Sequence, residues 1–196
     1  HEFLTATLNY SIDRTEKIIL LKQEIERLNI NFLKPDINYS DPLFSIENID
    51  SVKSIRFGLA AIKGVGLKSI SNMIEERRKN GKFINIIDFM NRVSKDVINK
   101  RQLEKLIQAG AFDSIENNRA KLFNNVTRFV DLYGGEKNTN QDMLFEENEI
   151  SFDDKNLFNQ NYQSWKNSEI LSNELEVIGF YFSDHPLNLY PKKFFE

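Results

Sequence analysis

Apolar residues recur at helical spacing through most of this chain and alternate in one short region. Ile18, Leu21, Ile25 and Leu28 stand at i, i+3, i+7 and i+10, which predicts a helix starting near Asp13 and ending at Asn29. Asp13 is its expected cap, with Glu16 at the third position of a capping box. Leu33 to Asn38 reads as an extended connection, because the residue before Pro35 is steered out of helical geometry. Asp41-Pro42 marks a turn, and short alternating apolar stretches from Phe44 to Phe57 predict a small hairpin. From Gly58 onward the period is helical. Leu67 to Asn80 is expected to bury Ile70, Met73 and Ile74 and to stop at Gly81. Further helices are predicted over Ile86 to Val93, over Asn99 to Ala109 (capped by Asn99, closed by Gly110), and over Asn117 to Tyr133. Leu122, Val126, Phe129 and Tyr133 form the stripe of the last of these, and Gly134-Gly135 end it. Residues 134–160, acidic and rich in Asn, read as an exposed loop before a final helix from about Tyr162 to Ile178. The expected fold is mostly α, a helical bundle with minor short β elements.

Composition narrows the class. With 40% hydrophobic residues and sixteen Phe, 196 residues can bury a core as one elongated domain or two small units. The absence of cysteine excludes disulfides and thiolate metal sites and suits a cytoplasmic protein. No apolar run approaches the roughly 20 residues that span a bilayer, so no membrane association is expected. The chain opens on His1-Glu2-Phe3 and is expected to come from something longer. The net charge of −3 hides a segregation: residues 1–50 carry five Lys/Arg against nine Asp/Glu, residues 51–121 fifteen against seven, and residues 131–196 five against thirteen. A basic middle between acidic ends points to a polyanion-binding surface in the middle third.

Within that middle, Leu59-Ala60-Ala61-Ile62-Lys63-Gly64-Val65-Gly66-Leu67-Lys68 has the pattern of a helix–hairpin–helix motif. Gly64 and Gly66 are expected to adopt positive φ and let the backbone approach a phosphate oxygen. Val65 turns inward to fasten the hairpin. The free N–H groups of the second helix, from Leu67, point at the anion with the helix dipole behind them, and Lys63 and Lys68 add charge beside them. The bland alternative is a helical hairpin whose glycines only make a turn. Such hairpins often come in pairs that grasp both strands across a minor groove. A second unit is visible in Ile86 to Arg92, the turn Ser94-Lys95-Asp96-Val97-Ile98, and Asn99 to Ala109. It lacks the glycine pair. Lys95, Lys100 and Arg101 can reach phosphates there, with a mainly structural role as the alternative.

Three segments resemble one family, the bacterial replicative DNA polymerase III alpha subunits. Ile55-Arg56-Phe57-Gly58 through Gly66 is similar to the start of that family's tandem helix–hairpin–helix unit, and Asn99-Lys100-Arg101 with Leu106 to Asp113 to its continuation. Glu174 to Leu187 is similar to the segment before its oligonucleotide-binding fold, with Asp184 where the family usually has Gly. Glu2 to Ala6 and Pro35 to Asn38 resemble the end of its fingers domain. The resemblance implies three parts: residues 1–50 from the fingers, 51–121 as the DNA-binding hairpin pair, and 122–196 as a helix, a clamp-binding loop and a connector. It implies double-stranded DNA, bound by its backbone, and other replicase subunits as partners. It also implies the sliding clamp, through a peptide of the form Gln-x-x-Leu/Met-Phe that Gln141-Asp142-Met143-Leu144-Phe145 matches. Leu144 and Phe145 would fill an apolar pocket while Gln141 fixes the register. The alternative is that these side chains fold back onto the domain's own core.

The family's polymerisation carboxylates, which hold Mg2+, lie in a palm domain upstream, so this stretch is expected to hold no catalytic residue, no metal and no cofactor of its own. Asp153-Asp154 reads as a solvated pair and His185, before Pro186, as a turn residue. Two rival functions remain: the hairpin module of a DNA repair or recombination protein, and a purely structural helical adaptor.

Overall fold

The computed structural model describes residues 1–133 and 162–189. Two helices, α1 (Glu2–Tyr10) and α2 (Thr15–Arg27), lead into a three-stranded sheet of β1 (Asn31–Leu33), β2 (Ser45–Ile49) and β3 (Val52–Arg56). Four helices follow: α3 (Leu67–Asn80), α4 (Ile86–Arg92), α5 (Lys100–Gln108) and α6 (Arg119–Tyr133). After residue 162 comes α7 (Asn167–Val177). The mostly helical expectation holds.

The expected hairpin is β2–β3, in which Ile46 faces Ile55 and Ile49 faces Val52. Its two-residue turn, Asp50-Ser51, has φ of 49° and 69°, the left-handed pair that suits the twist of adjoining strands. β1 adds in parallel to β3, pairing Phe32 with Ile55. The sequence did not suggest that strand, because three residues are too few to display alternation. Five phenylalanines weld the sheet to the chain after α7. Phe44 meets Phe57 at 5.0 Å between ring centroids, Phe57 meets Phe182 at 5.6 Å, and Phe180 meets Phe182 at 5.0 Å, while Phe32 contacts all four. Most of these pairs are tilted or edge-on, the arrangement favoured by the ring quadrupole.

The helical half is built on Ile70, Met73, Ile74, Leu103, Leu106, Ile107, Leu122, Val126 and Phe129, all buried. Phe83, Phe89 and Phe112 stack edge-on through it at 4.9 and 5.0 Å. α3 runs between the predicted ends and stops at Gly81, whose φ of 85° only glycine adopts freely. Asn38 joins the two halves: its side chain donates to the Phe83 carbonyl and accepts from the Phe83 N–H, each at 2.8 Å.

Three sequence expectations are corrected. α1 was not foreseen, since only Leu4, Thr5 and Leu8 are buried on it and Phe3 and Tyr10 stay exposed, which blurs the stripe. Asp13 does not cap α2, which starts at Thr15 after Arg14 with no side-chain cap. The chain between is a tight turn, with the Arg14 N–H on the Ser11 carbonyl at 2.9 Å. The last helix starts at Asn167 instead of Tyr162, and residues 162–166 precede it without regular structure. No helix among the described residues is long and apolar enough to cross a membrane.

Candidate nucleic-acid interface

The first hairpin keeps its turn and loses its first helix. Leu59–Ala61 makes a single 3-10 turn. The Lys63 N–H, which would close an α-turn on Leu59, instead donates to Val177 on α7, while Leu59 and Ala60 donate to the Asp41 and Pro42 carbonyls. Gly64 has φ of 80°, and Val65 turns inward and is buried, as expected. Gly66 is a correction. Its φ is −81°, ordinary extended backbone, so its value lies in openness and not in a left-handed angle. A Cβ there would touch nothing nearer than Gln102 Nε2 at 3.6 Å. Gly66 caps α3 without a side chain. The N–H groups of Gly64, Gly66, Leu67, Lys68 and Ser69 have no partner among the described residues. Those of Gly66 to Ser69 stand at the start of α3, where the helix dipole favours an anion, and that of Gly64 lies in the turn before it. Leu67, Lys63 and Lys68 are exposed around these groups.

The second hairpin is α4, a turn, and α5. Val93 and Ile98 are buried at the two sides of the turn, and the Val97 and Ile98 amides bond to the Ser94 carbonyl at 3.0 and 3.1 Å. α5 carries a full capping box: the Gln102 N–H donates to Asn99 Oδ1, and the Asn99 N–H to Gln102 Oε1. Gln102 Nε2 also donates to Ser69 Oγ on the first turn of α3 at 3.2 Å. The two helix starts therefore lie side by side, and Lys95, Lys100 and Arg101 are exposed at the second.

Ion pairing sorts the basic residues of the middle third. Of the fifteen cations in 51–121, eight form ion pairs: Lys53, Arg56, Arg77, Arg78, Arg92, Lys105, Arg119 and Lys121. Arg77 is structural: half-buried, it donates to the Ile37 and Ser40 carbonyls at 2.8 Å, and burial draws its pKa down despite Asp41. Lys82 lies 3.7 Å over the Tyr39 ring. Lys63, Lys68, Lys95, Lys100 and Arg101 form no ion pair among the described residues. Four flank the helix starts and Lys95 stands in the second turn, so unneutralised charge collects where the amides are open.

Behind the hairpins lies a buried ionic cluster that no local sequence pattern marks. Arg119 at the start of α6 grips Asp113 with two hydrogen bonds of 2.8 Å and Glu174 of α7 with one of 3.0 Å. Glu174 is fully buried and also accepts the Phe182 and Ser183 N–H groups at 2.8 and 3.0 Å. Lys34 adds a 2.8 Å contact to Asp113. The cluster pins α7 against the hairpin pair. Signals for it existed only as scattered charges in otherwise apolar stretches.

Gln141, Asp142, Met143, Leu144 and Phe145, together with Asp153-Asp154, lie outside the described residues. His185 serves a turn, its Nδ1 accepting from the Leu187 N–H at 3.2 Å. Asp184 accepts from Asn167 Nδ2 at 3.0 Å and so has a local role of its own.

Residues 29–122 match the family model described as the helix-hairpin-helix motif, a span that includes both hairpins. The whole chain is similar to curated proteins named DNA polymerase III subunit alpha. It is 37% identical to that of Borreliella burgdorferi over 97% of the chain, 38% identical to that of Neisseria meningitidis serogroup B over 98%, and 34% identical to that of Escherichia coli over 98%. This chain belongs to the DNA polymerase III alpha subunit family. It covers 17%, 16% and 17% of the length of those three alpha subunits, respectively. The alpha-subunit match runs through the sheet, both hairpins and α7, so the segments quoted from the sequence fall in one continuous alignment.

Proposed function

We propose that residues 51–121 bind the backbone of duplex DNA within a replicative polymerase, and that residues 122–196 attach it to the sliding clamp. The observation that carries the first half is the pairing of α3 and α5 at Ser69–Gln102, which sets open amides and five unpaired cations on one surface. Amides and lysines meet phosphates and not base edges, so the grip carries no sequence preference. Residues 1–50 join this unit to the fingers. The clamp contact is carried by Gln141 to Phe145, on the strength of the peptide pattern and of the relatives' identity. In the full-length protein, template-directed synthesis falls to Mg2+-holding carboxylates outside this chain, and the fragment's task is to keep the enzyme on its duplex.

The test is anisotropy of the 196-residue chain with labelled duplexes of unrelated sequence, across a salt series. Log K should fall by about 0.9 per phosphate neutralised, alike for all sequences. A flat salt response, or strong preference for one duplex, would return the hairpins to a structural role.

A further inference from the structure

We infer that the outer face of α1 is an internal interface of the polymerase, covered by an apolar part of the same alpha subunit outside residues 1–196. This goes beyond the DNA-binding reading and does not depend on it. α1 is apolar on two sides. Leu4, Thr5 and Leu8 are buried, while Phe3, Ala6 and Tyr10 recur at i, i+3 and i+7 on the other side, exposed. Phe3 is 78% exposed and Tyr10 84%, and among the large apolar side chains of the described residues only Ile84 is as open. The helix has little polar surface to offer water instead. Thr7 Oγ1 donates to the Phe3 carbonyl at 2.8 Å, and the Asn9 side chain donates to the Phe44 carbonyl and accepts from its N–H. Glu2, the one charged residue of α1, pairs with Lys53 at 2.9 Å. A helix that is apolar on opposite sides belongs between two layers, and only one is present here.

Apolar company stands at both ends of the stripe. Its start lies against β3, where His1 Nε2 meets the Lys53 carbonyl at 3.0 Å, next to exposed Val52 and its cross-strand partner Ile49. Its end is held to Phe44, next to exposed Leu43. Exposed apolar side chains gathered in this way mark a contact surface, and aromatic residues are enriched in such surfaces. Size decides the occupant. A nine-residue helix offers a strip about 13 Å long and about 10 Å wide, far short of the roughly 800 Å2 per partner that a stable complex buries. A second copy or a separate protein would need more than this face provides. A surface on the same polypeptide does not, because its tether makes the contact intramolecular. An alpha subunit has ample chain to supply it, since these residues cover only 17% of the Borreliella burgdorferi relative.

The chain has no cysteine, so a single introduced thiol reports access to the face. Tyr10→Cys removes an exposed side chain and should leave the fold intact, as circular dichroism checks. In the 196-residue chain its thiol should react with a maleimide within about threefold of its rate in urea. In the full-length alpha subunit containing these residues, with the modified peptide identified by mass spectrometry, it should react at least about tenfold more slowly. Equal rates in the folded chain and the folded subunit would overturn the inference, because the face would be open in both. Slow reaction already in the 196-residue chain would overturn it as well, by showing that these residues cover the face themselves. Sedimentation of the full-length subunit tests for a second copy. A dimer that Phe3→Ser with Tyr10→Ser splits would give the face to self-association and overturn the inference, whereas a monomer with a protected thiol upholds it. Should Tyr10→Cys fail to fold, Ala6→Cys, a smaller change on the same stripe, makes the same comparison.

Discussion

Arg119 and Glu174 meet across α6 and α7 with Nη1 3.0 Å from Oε1, and the carboxylate at that contact is fully buried. Burial alone would weaken the arginine's hold on its proton, but Asp113 and Glu174 outweigh it and raise its pKa. Removing one member of such a pair leaves the other charged and unpaired in a dry site. Arg119→Ala should therefore cost about 3–5 kcal/mol in urea unfolding, and replacing both Arg119 and Glu174 by apolar residues of similar size should cost less than the single change. A single-variant loss below about 1 kcal/mol would mean that water reaches the cluster.

Gly110 makes the passage for that arginine. Its φ is 77°, and a Cβ built there would run into the Arg119 guanidinium. Gly110→Ala should destabilise by about 1–2 kcal/mol from backbone strain plus the collision. In an Arg119→Ala background the collision vanishes, so the two costs should fail to add, which a double-mutant cycle reads directly.

Asp113 gives the fold an acid limit. Burial pushes its carboxyl up, but the paired hydrogen bonds of Arg119 and the charge of Lys34 more than reverse this and hold it below the ordinary carboxylate value. A folded-state pKa below the unfolded one means stability that is complete above the unfolded value of about 3.9 and is lost as pH falls through the folded value. The urea midpoint should be insensitive to this group near neutrality and drop below about pH 4. Asp113→Asn should remove that part of the drop, and an unchanged acid profile would refute the assignment.

The two turn glycines should respond differently to substitution. Gly64 needs its positive φ, so Gly64→Ala strains the backbone by about 1 kcal/mol. Gly66 has ordinary angles and open space, so Gly66→Ala should leave the melting temperature within a few degrees. Any loss of DNA affinity in Gly66→Ala then reports a methyl group in the path of phosphate. Equal thermal shifts in the two would contradict the geometry.

For the clamp, Leu144→Ala with Phe145→Ala removes the two apolar anchors, each worth roughly 1.5–3 kcal/mol when fully buried. Titration of sliding clamp onto the chain should show at least about a tenfold loss for the double variant, with duplex binding unchanged. Equal clamp affinity would mean that the peptide pattern is coincidental.

The two hairpins of the candidate interface were legible because their elements are local. The Gly64-Val65-Gly66 turn, the Asn99 cap and the buried stripe of α3 each follow from spacing within a few residues, and all three are observed. The Arg119–Asp113–Glu174 cluster was not, because its members stand 6 and 55 positions apart and nothing local distinguishes them from surface charges. The first hairpin helix misled for a related reason. Leu59 to Ile62 has helical composition, but the Lys63 N–H that would close its first α-turn is bonded to Val177, 114 positions away. Gly66 misled because glycine signals openness as readily as it signals a left-handed angle.

The return of the chain at Tyr162 has a mechanical consequence. Asn118, beside the first residue of α6, donates to the Tyr162 carbonyl at 3.1 Å, and Trp165 packs on Phe123 at 5.4 Å. The chain leaves α6 at Tyr133, fourteen residues on from Arg119, so the exit and the return are separated by about 20 Å along one rod. A pull on residues 134–161 is therefore shared between the two ends of a single helix. Such a load would reach the hairpins through one stiff helix, with Arg119 at its foot, bonded to Asp113 and Glu174, as the anchor.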